Sequence, residues 1–178
     1  LPDGNPHALF LTLGVGSSAD DATTVRQALA ALPSLTDEVG AADANARLLS
    51  VVAIGSAAWD LLYPGPRPAR LRQFRAFDGP GGTAPSTPAD VFLHIRSDRL
   101  DLNFELARQV RTALGASVTV IEEVRGFRYM DNRDLTGFVD GTENPAGDHR
   151  GKVALVGDDD PEMADGSYIA IQRYIHDL

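Results

Sequence analysis

The sequence predicts an α+β fold, an antiparallel sheet with its helices on one face, followed by the opening strands of a second sheet. Three observations carry this. Apolar runs alternate with helical patterns in the order strand–helix–strand–strand–helix–strand, which is the order of a ferredoxin-like unit. Two further strand-like runs, Lys152 to Val156 and Ser167 to His176, then follow with no helix after them. A composition of 43% hydrophobic and 23% charged residues over 178 positions sits near globular averages, enough for one full core and part of another.

Taken in order, Ala8 to Val15 is a buried strand bounded by Pro6 and Gly16. Asp20 or Asp21 can cap a helix whose Val25, Ala28, Leu29 and Leu32 fall at i, i+3, i+4, i+7, with Pro33 expected to end it. Arg47 to Gly55 is rich in β-branched residues and reads as the second strand, and Ser56 to Leu62 as one or two helical turns carrying Trp59. Between Pro64 and Ala89 stand six of the eleven prolines and four glycines, so no regular element is expected there. A loop of that length reads as a surface excursion over part of a ligand or partner face. Its arginines, Arg67, Arg70, Arg72 and Arg75, are interleaved with Phe74 and Phe77, and salt bridging is their expected use. Asp90 to Arg96 is the third strand. Asp101 to Leu114 is a helix with Leu102, Leu106, Ala107, Val110, Ala113 and Leu114 on one face and Gly115 closing it. Ser117 to Val124 is the fourth strand.

Composition also excludes. A net charge of −9 argues against a nucleic-acid surface, which needs a basic stripe. No cysteine is present, so disulfides, thiolate-bound metals and thiolate-bound haem are ruled out for these residues, and a reducing compartment is favoured. No apolar run approaches the ~20 residues of a membrane span, and no basic-then-apolar leader opens the chain at Leu1. The acidic run Asp158-Asp159-Asp160, with Glu162 and Asp165, reads as a solvated loop.

One stretch is too polar for a core and too ordered for a spacer: Asp131-Asn132-Arg133-Asp134-Leu135-Thr136-Gly137-Phe138-Val139-Asp140-Gly141-Thr142-Glu143-Asn144-Pro145. Gly137 and Gly141 bracket Asp140, which lets the backbone turn or press close to a flat ligand. Phe138 and Val139 can present an apolar edge beneath the Asp140 carboxylate. A tight Asx-type turn accounts for the same dipeptides.

The segment from Gly137 to Pro145 resembles the GxxDG signature of the dye-decolourising peroxidases, a family of haem enzymes. The preceding Asn132-Arg133-Asp134-Leu135, the upstream Val124-Arg125-Gly126-Phe127-Arg128-Tyr129 and the downstream Tyr168 to Asp177 are similar to its bacterial B-type branch. The resemblance implies two ferredoxin-like units with haem b held between them. Residues 1–130 would form the first unit, 131–151 the haem-pocket loop and 152–178 the first strands of the second.

The implied activity is oxidation of dyes, phenols or other bulky reductants by H₂O₂. A haem peroxidase must move a proton from one peroxide oxygen to the other, and the mover must be ionised beforehand and able to return the proton. A carboxylate suits acidic to neutral pH. The resemblance gives this role to Asp140, on the distal side of the haem. Gly141, Thr142 and Glu143 would follow the haem edge, Phe138 would face it, and Asn144 would hold the loop in shape. The axial histidine and the distal arginine belong to the family's second half, for which no matching segment is present. None of His7, His94, His149 and His176 is a good axial candidate, and His94 reads as a satisfied sheet residue. Glu143 near a propionate is also compatible with a hard ion such as Mn²⁺. The implied partners are hydrogen peroxide, a small-molecule reductant, further copies of the chain and an encapsulating shell protein. The implied location is cytoplasmic. The competing class is a module that carries haem, or extracts its iron, without turnover.

Overall fold

The structure, a computed structural model, describes residues 2–175. β1 (His7–Val15), α1 (Ala19–Gly40), β2 (Leu49–Ile54) and the short α2 (Trp59–Leu62) come first. The small β3 (Phe77–Gly79) and β4 (Gly82–Ala84) pair with each other, and then come β5 (Val91–Ser97), α3 (Leu100–Leu114), β6 (Val118–Phe127) and α4 (His149–Ala154). The main sheet has the order β2-β5-β1-β6 and every pairing in it is antiparallel. This is the ferredoxin-like arrangement expected from the element order.

The core follows from strand alternation. Leu9, Leu11 and Leu13 of β1 and Val91, Leu93 and Ile95 of β5 point to one face. There they meet Val25, Leu29 and Leu32 of α1 and Leu102, Leu106, Val110 and Leu114 of α3. Fully burying each such side chain contributes about 1.5–3 kcal/mol, so this one layer contact dominates the unit. The opposite face carries Phe10, which stacks on His94 at 4.6 Å and on Phe92 at 6.0 Å. His94 is thus a stacked sheet residue. Burial, and secondarily the charge of Arg96, push its pKa below the usual histidine value.

Four expectations need correction. The cap of α1 is Ser18: its Oγ accepts the Asp21 N–H at 3.0 Å, while the Asp21 carboxylate accepts the Ser18 N–H at 3.2 Å. Pro33 does not end α1, which runs on to Gly40 because Leu32, Thr36 and Val39 still face the core. Tertiary burial outweighs the lost backbone hydrogen bond. Ala113 is exposed rather than on the buried face of α3. The Pro64–Ala89 excursion is not wholly irregular, since Phe77–Gly79 and Gly82–Ala84 close a small hairpin.

The expected second-sheet strands are also not formed. Residues 149–154 make the helical turns of α4, and 167–175 form no strand, being tied to the rest by side chains such as Tyr168, which accepts the Arg70 N–H, and Arg173, which pairs with Glu122. A strand is stabilised by its ladder and cross-strand neighbours, and none is supplied to these runs beyond the bonds of Val156 to Asp165 and Gly166, so residues 152–154 take the locally satisfied helix instead. His176, the end of the second expected run, lies outside the described residues.

Candidate functional site

The motif stretch forms a small hairpin. Met130, Asp131 and Asn132 have φ of 30°, 57° and 66°, a left-handed turn that non-glycine residues adopt only at a cost. This turn reverses the chain coming off β6. Two arms then run side by side: Asp140 N–H donates to Asn132 O at 2.7 Å, Asp134 N–H donates to Phe138 O at 3.0 Å, and Arg133 opposes Val139. The tip is a turn, with Gly137 N–H bonded to Asp134 O at 3.0 Å and Gly137 at φ 93°. The Asp134 side chain accepts the Thr136 N–H at 2.9 Å, and the Arg133 guanidinium donates across to Gly137 O at 2.8 Å. The Asx turn foreseen from the dipeptides is therefore real, but it is built on Asp134. Asp140 is left available.

Residues two apart in an extended arm share a face. Phe138 and Asp140 therefore stand on one side of the hairpin and Val139 on the other. Phe138 is 76% exposed and Val139 44%. An apolar ring this open beside a carboxylate with no partner among the described residues is costly for a finished surface and suited to a surface that takes an apolar partner. After Asp140 the chain turns at Gly141, φ 77°, and Asn144 N–H closes the turn on Gly141 O at 3.1 Å. A Cβ on Gly141 would lie 2.8 Å from the Asn144 amide nitrogen, so Asn144 packs directly over the glycine. The tie Asn144 makes to the loop backbone is through its own N–H. Gly141, Thr142 and Glu143 are all exposed. The loop's far end is fastened by Arg150, which donates to Pro145 O at 3.1 Å and to the Asp3 carboxylate at 2.7 Å. The Arg150 guanidinium holds the Asp3 carboxyl below its usual range.

Two family models cover the chain. One described as "Dyp-type peroxidase, N-terminal" matches residues 1–128, and one described as "Dyp-type peroxidase, C-terminal" matches residues 131–178. The chain belongs to the Dyp-type peroxidase family. The boundary between the two models falls where β6 ends and the left-handed turn begins.

A dye-decolorizing peroxidase of Mycobacterium tuberculosis is 46% identical over 97% of this chain and 51% of its own length. A DypB variant from Rhodococcus jostii RHA1, solved in complex with heme, matches at 44% identity with a TM-score of 0.88, covering 93% of this chain and 53% of that one. An encapsulated DyP-type peroxidase from Mycobacterium smegmatis matches at 42% identity and a TM-score of 0.87, over 92% and 52% of the two chains. The DypB likeness places the chain in the B-type branch. The chain spans about half the length of the relatives it matches.

The residues present fit one wall of a haem site. An exposed aromatic edge, a carboxylate on the same face and the backbone donors of an open turn suit an apolar ring system with anionic arms. Among the described residues no axial ligand is identified: His94 is stacked within the sheet, and His149 sits at the start of α4. Among the described residues no three His, Asp or Glu side chains converge to hold a metal ion, so Glu143 has no company for Mn²⁺. No described helix is long and apolar enough to cross a membrane. Sequence reasoning missed Arg133, Asp134 and Arg150 as the residues that shape the loop; Asp-Leu-Thr-Gly, a turn tetrapeptide, is the signal that points to the tip.

Proposed function

We propose that the protein is a haem b-dependent peroxidase that uses H₂O₂ to oxidise dyes, phenolic compounds or other bulky reductants. The observation that carries this reading is the hairpin of a Dyp-type chain presenting Phe138 and Asp140 on one exposed face. Haem, when bound, supplies the redox centre at which peroxide is reduced and the reductant oxidised. The chain's own residues do the rest. Phe138 would cover the ring edge and keep water from it. The N–H groups and hydroxyl of Gly141, Thr142 and Glu143 would hold a propionate, and Asn144 keeps that turn closed. Asp140 would take a proton from one oxygen of H₂O₂ and return it to the other. Its main chain is clamped to Asn132 at 2.7 Å, so the carboxylate acts from a fixed base.

Residues 131–178 belong in this reading to the second unit of the family, and the Mycobacterium smegmatis relative supports a shell protein as a partner and the cytoplasm as the location. The test is Asp140→Asn in the full-length haem protein. Mixing with H₂O₂ and following the haem absorbance by stopped flow should show a reaction slowed by about 10²-fold or more, the scale of general acid–base catalysis, with haem content unchanged. Rates within a few-fold of wild type would remove Asp140 from the catalytic role.

A further inference from the structure

The excursion between α2 and β5, with Ser56, forms an open cleft of about 1010 Å³ whose lining includes Arg72, Gln73, Phe74, Arg75 and Ser86. Its walls are tied in place. Arg67 donates to both the carbonyl and the hydroxyl of Ser56 at 2.7 Å and pairs with Asp60 at 3.0 Å. Gln73 donates to the Ser86 hydroxyl at 3.3 Å, and that hydroxyl donates to Phe74 O at 2.7 Å. The Phe74 ring packs against Phe77 at 5.9 Å yet remains 49% exposed.

The four arginines of this segment divide evenly. Arg67 is paired with Asp60 and Arg70 with Asp159, which is the salt bridging expected of them. Arg72 and Arg75, the two that line the cleft, have neither an ion pair nor a side-chain hydrogen bond among the described residues. That is unusual on a chain with 25 acidic residues against 16 basic ones, where carboxylates are plentiful. Two unpaired guanidinium groups beside an open phenyl ring offer forked donors to an anion and flat faces to an aromatic body. Ser56, Ser86 and the Gln73 carboxamide add polar groups to the lining, and Leu71 and Ala76 add apolar ones.

We propose that this cleft is a binding site for a small aromatic anion of the aryl carboxylate class, with Arg72 and Arg75 on the carboxylate and Phe74 on the ring. It deepens the peroxidase reading, and rests on it, only in naming the ligand as a reductant that docks apart from the motif hairpin; the binding itself needs neither haem nor turnover.

The experiment is isothermal titration of the full-length protein with 2-naphthoate, 2-naphthamide and 2-naphthylmethylammonium, with the haem absorbance followed in parallel. Naphthoate should bind one to one, about tenfold or more tighter than either of the others, as expected for hydrogen bonds to a charged group, and without moving the haem band. R72Q/R75Q should weaken naphthoate by about tenfold or more and leave the amide and the cation unchanged. Equal affinities for the three ligands in the wild type overturn the proposal whatever the variant does. So does naphthoate binding that survives R72Q/R75Q, or that shifts the haem band and so reports the haem cavity. A protein that binds naphthoate but fails with peroxide leaves the site standing and removes the peroxidase reading. An active peroxidase that ignores naphthoate does the reverse.

Discussion

Residues 7–127 and residues 129–175 solve the same problem with unequal success. In the first region apolar positions recur with strand and helix periods, and one face of each main element finds a partner: β1 and β5 on one side, α1 and α3 on the other, although Phe77, Phe104, Ile121 and Phe127 stay exposed. In the second, Phe138, Tyr168, Ile169, Ile171 and Ile175 are exposed, and among the described residues none after Val118 is buried. What holds the second region to the first is polar: Arg150 to Asp3, Arg173 to Glu122, Arg70 to Asp159. Apolar sequence builds structure only where a second apolar surface meets it. The motif hairpin is the useful consequence, because a surface with no partner of its own is free to take a cofactor.

The sharpest way to break this comparison is a matched pair of truncations. Leu106 is fully buried under the sheet, and Leu106→Ala should cost about 2–5 kcal/mol in urea melts. Phe138 is larger but 76% exposed, and Phe138→Ala should stay within about 0.5 kcal/mol. Equal losses would mean that the hairpin is part of the core after all.

Haem provides the next test. In the proposed reading the described residues offer one wall and no identified axial ligand, so most of the cofactor's apolar surface would stay in water. Titrating haem into this chain should give weak, unsaturated binding and no sharp histidine-ligated spectrum. A tight one-to-one complex would show that the exposed tail closes the site by itself.

The unequal packing also explains what could be read in advance. The sheet unit was legible because each of its elements carries its own period: Leu9, Leu11 and Leu13 at two, Leu102, Leu106 and Val110 at three to four. The end of α1 was not, because Pro33 reports only on the local backbone, whereas Thr36 and Val39 are buried by contacts from elsewhere. The motif loop was legible as a place but not as a shape. Its left-handed turn falls on Met130, Asp131 and Asn132, of which only Asn and Asp hint at such a backbone. Lys152–Val156 misled for the opposite reason: a β-branched run announces a strand, but the ladder that would make it one is not in its own residues.

A smaller effect distinguishes the two faces of the sheet. His94 has its pKa lowered by burial and by Arg96, so the folded state binds its proton less readily than the unfolded chain does. Stability from this group is complete above the ordinary value of 6.5 and is lost as pH falls through the lower folded value. Thermal melts should therefore decline as pH falls below about 6.5. His94→Gln should flatten that decline and leave the melt at pH 8 nearly unchanged. A decline that persists in the variant would assign the acid sensitivity to another group.

The smallest expected effect is the most specific to the site. Arg150 anchors the far end of the motif loop to Asp3 at 2.7 Å, with Asp3 exposed and Arg150 half-buried. A surface pair of this kind contributes little to global stability, so Asp3→Asn should not move the melting curve. The tie restricts the loop, however, and local opening is governed by local contacts. Amide exchange over residues 141–150 should quicken by a few-fold in Asp3→Asn, while β1 and β5 stay protected. Because Arg150 holds the Asp3 carboxyl below its ordinary 3.8, the tie is complete above that value and is lost as pH falls through the lower folded one. Moderate salt should mimic the substitution at neutral pH, since a surface pair is screened over about 10 Å at 0.1 M. If exchange in this segment responds to neither the substitution nor salt, the loop is held by its own turns at Gly141 and Pro145. Its geometry would then be intrinsic to the motif and independent of the sheet unit beneath it.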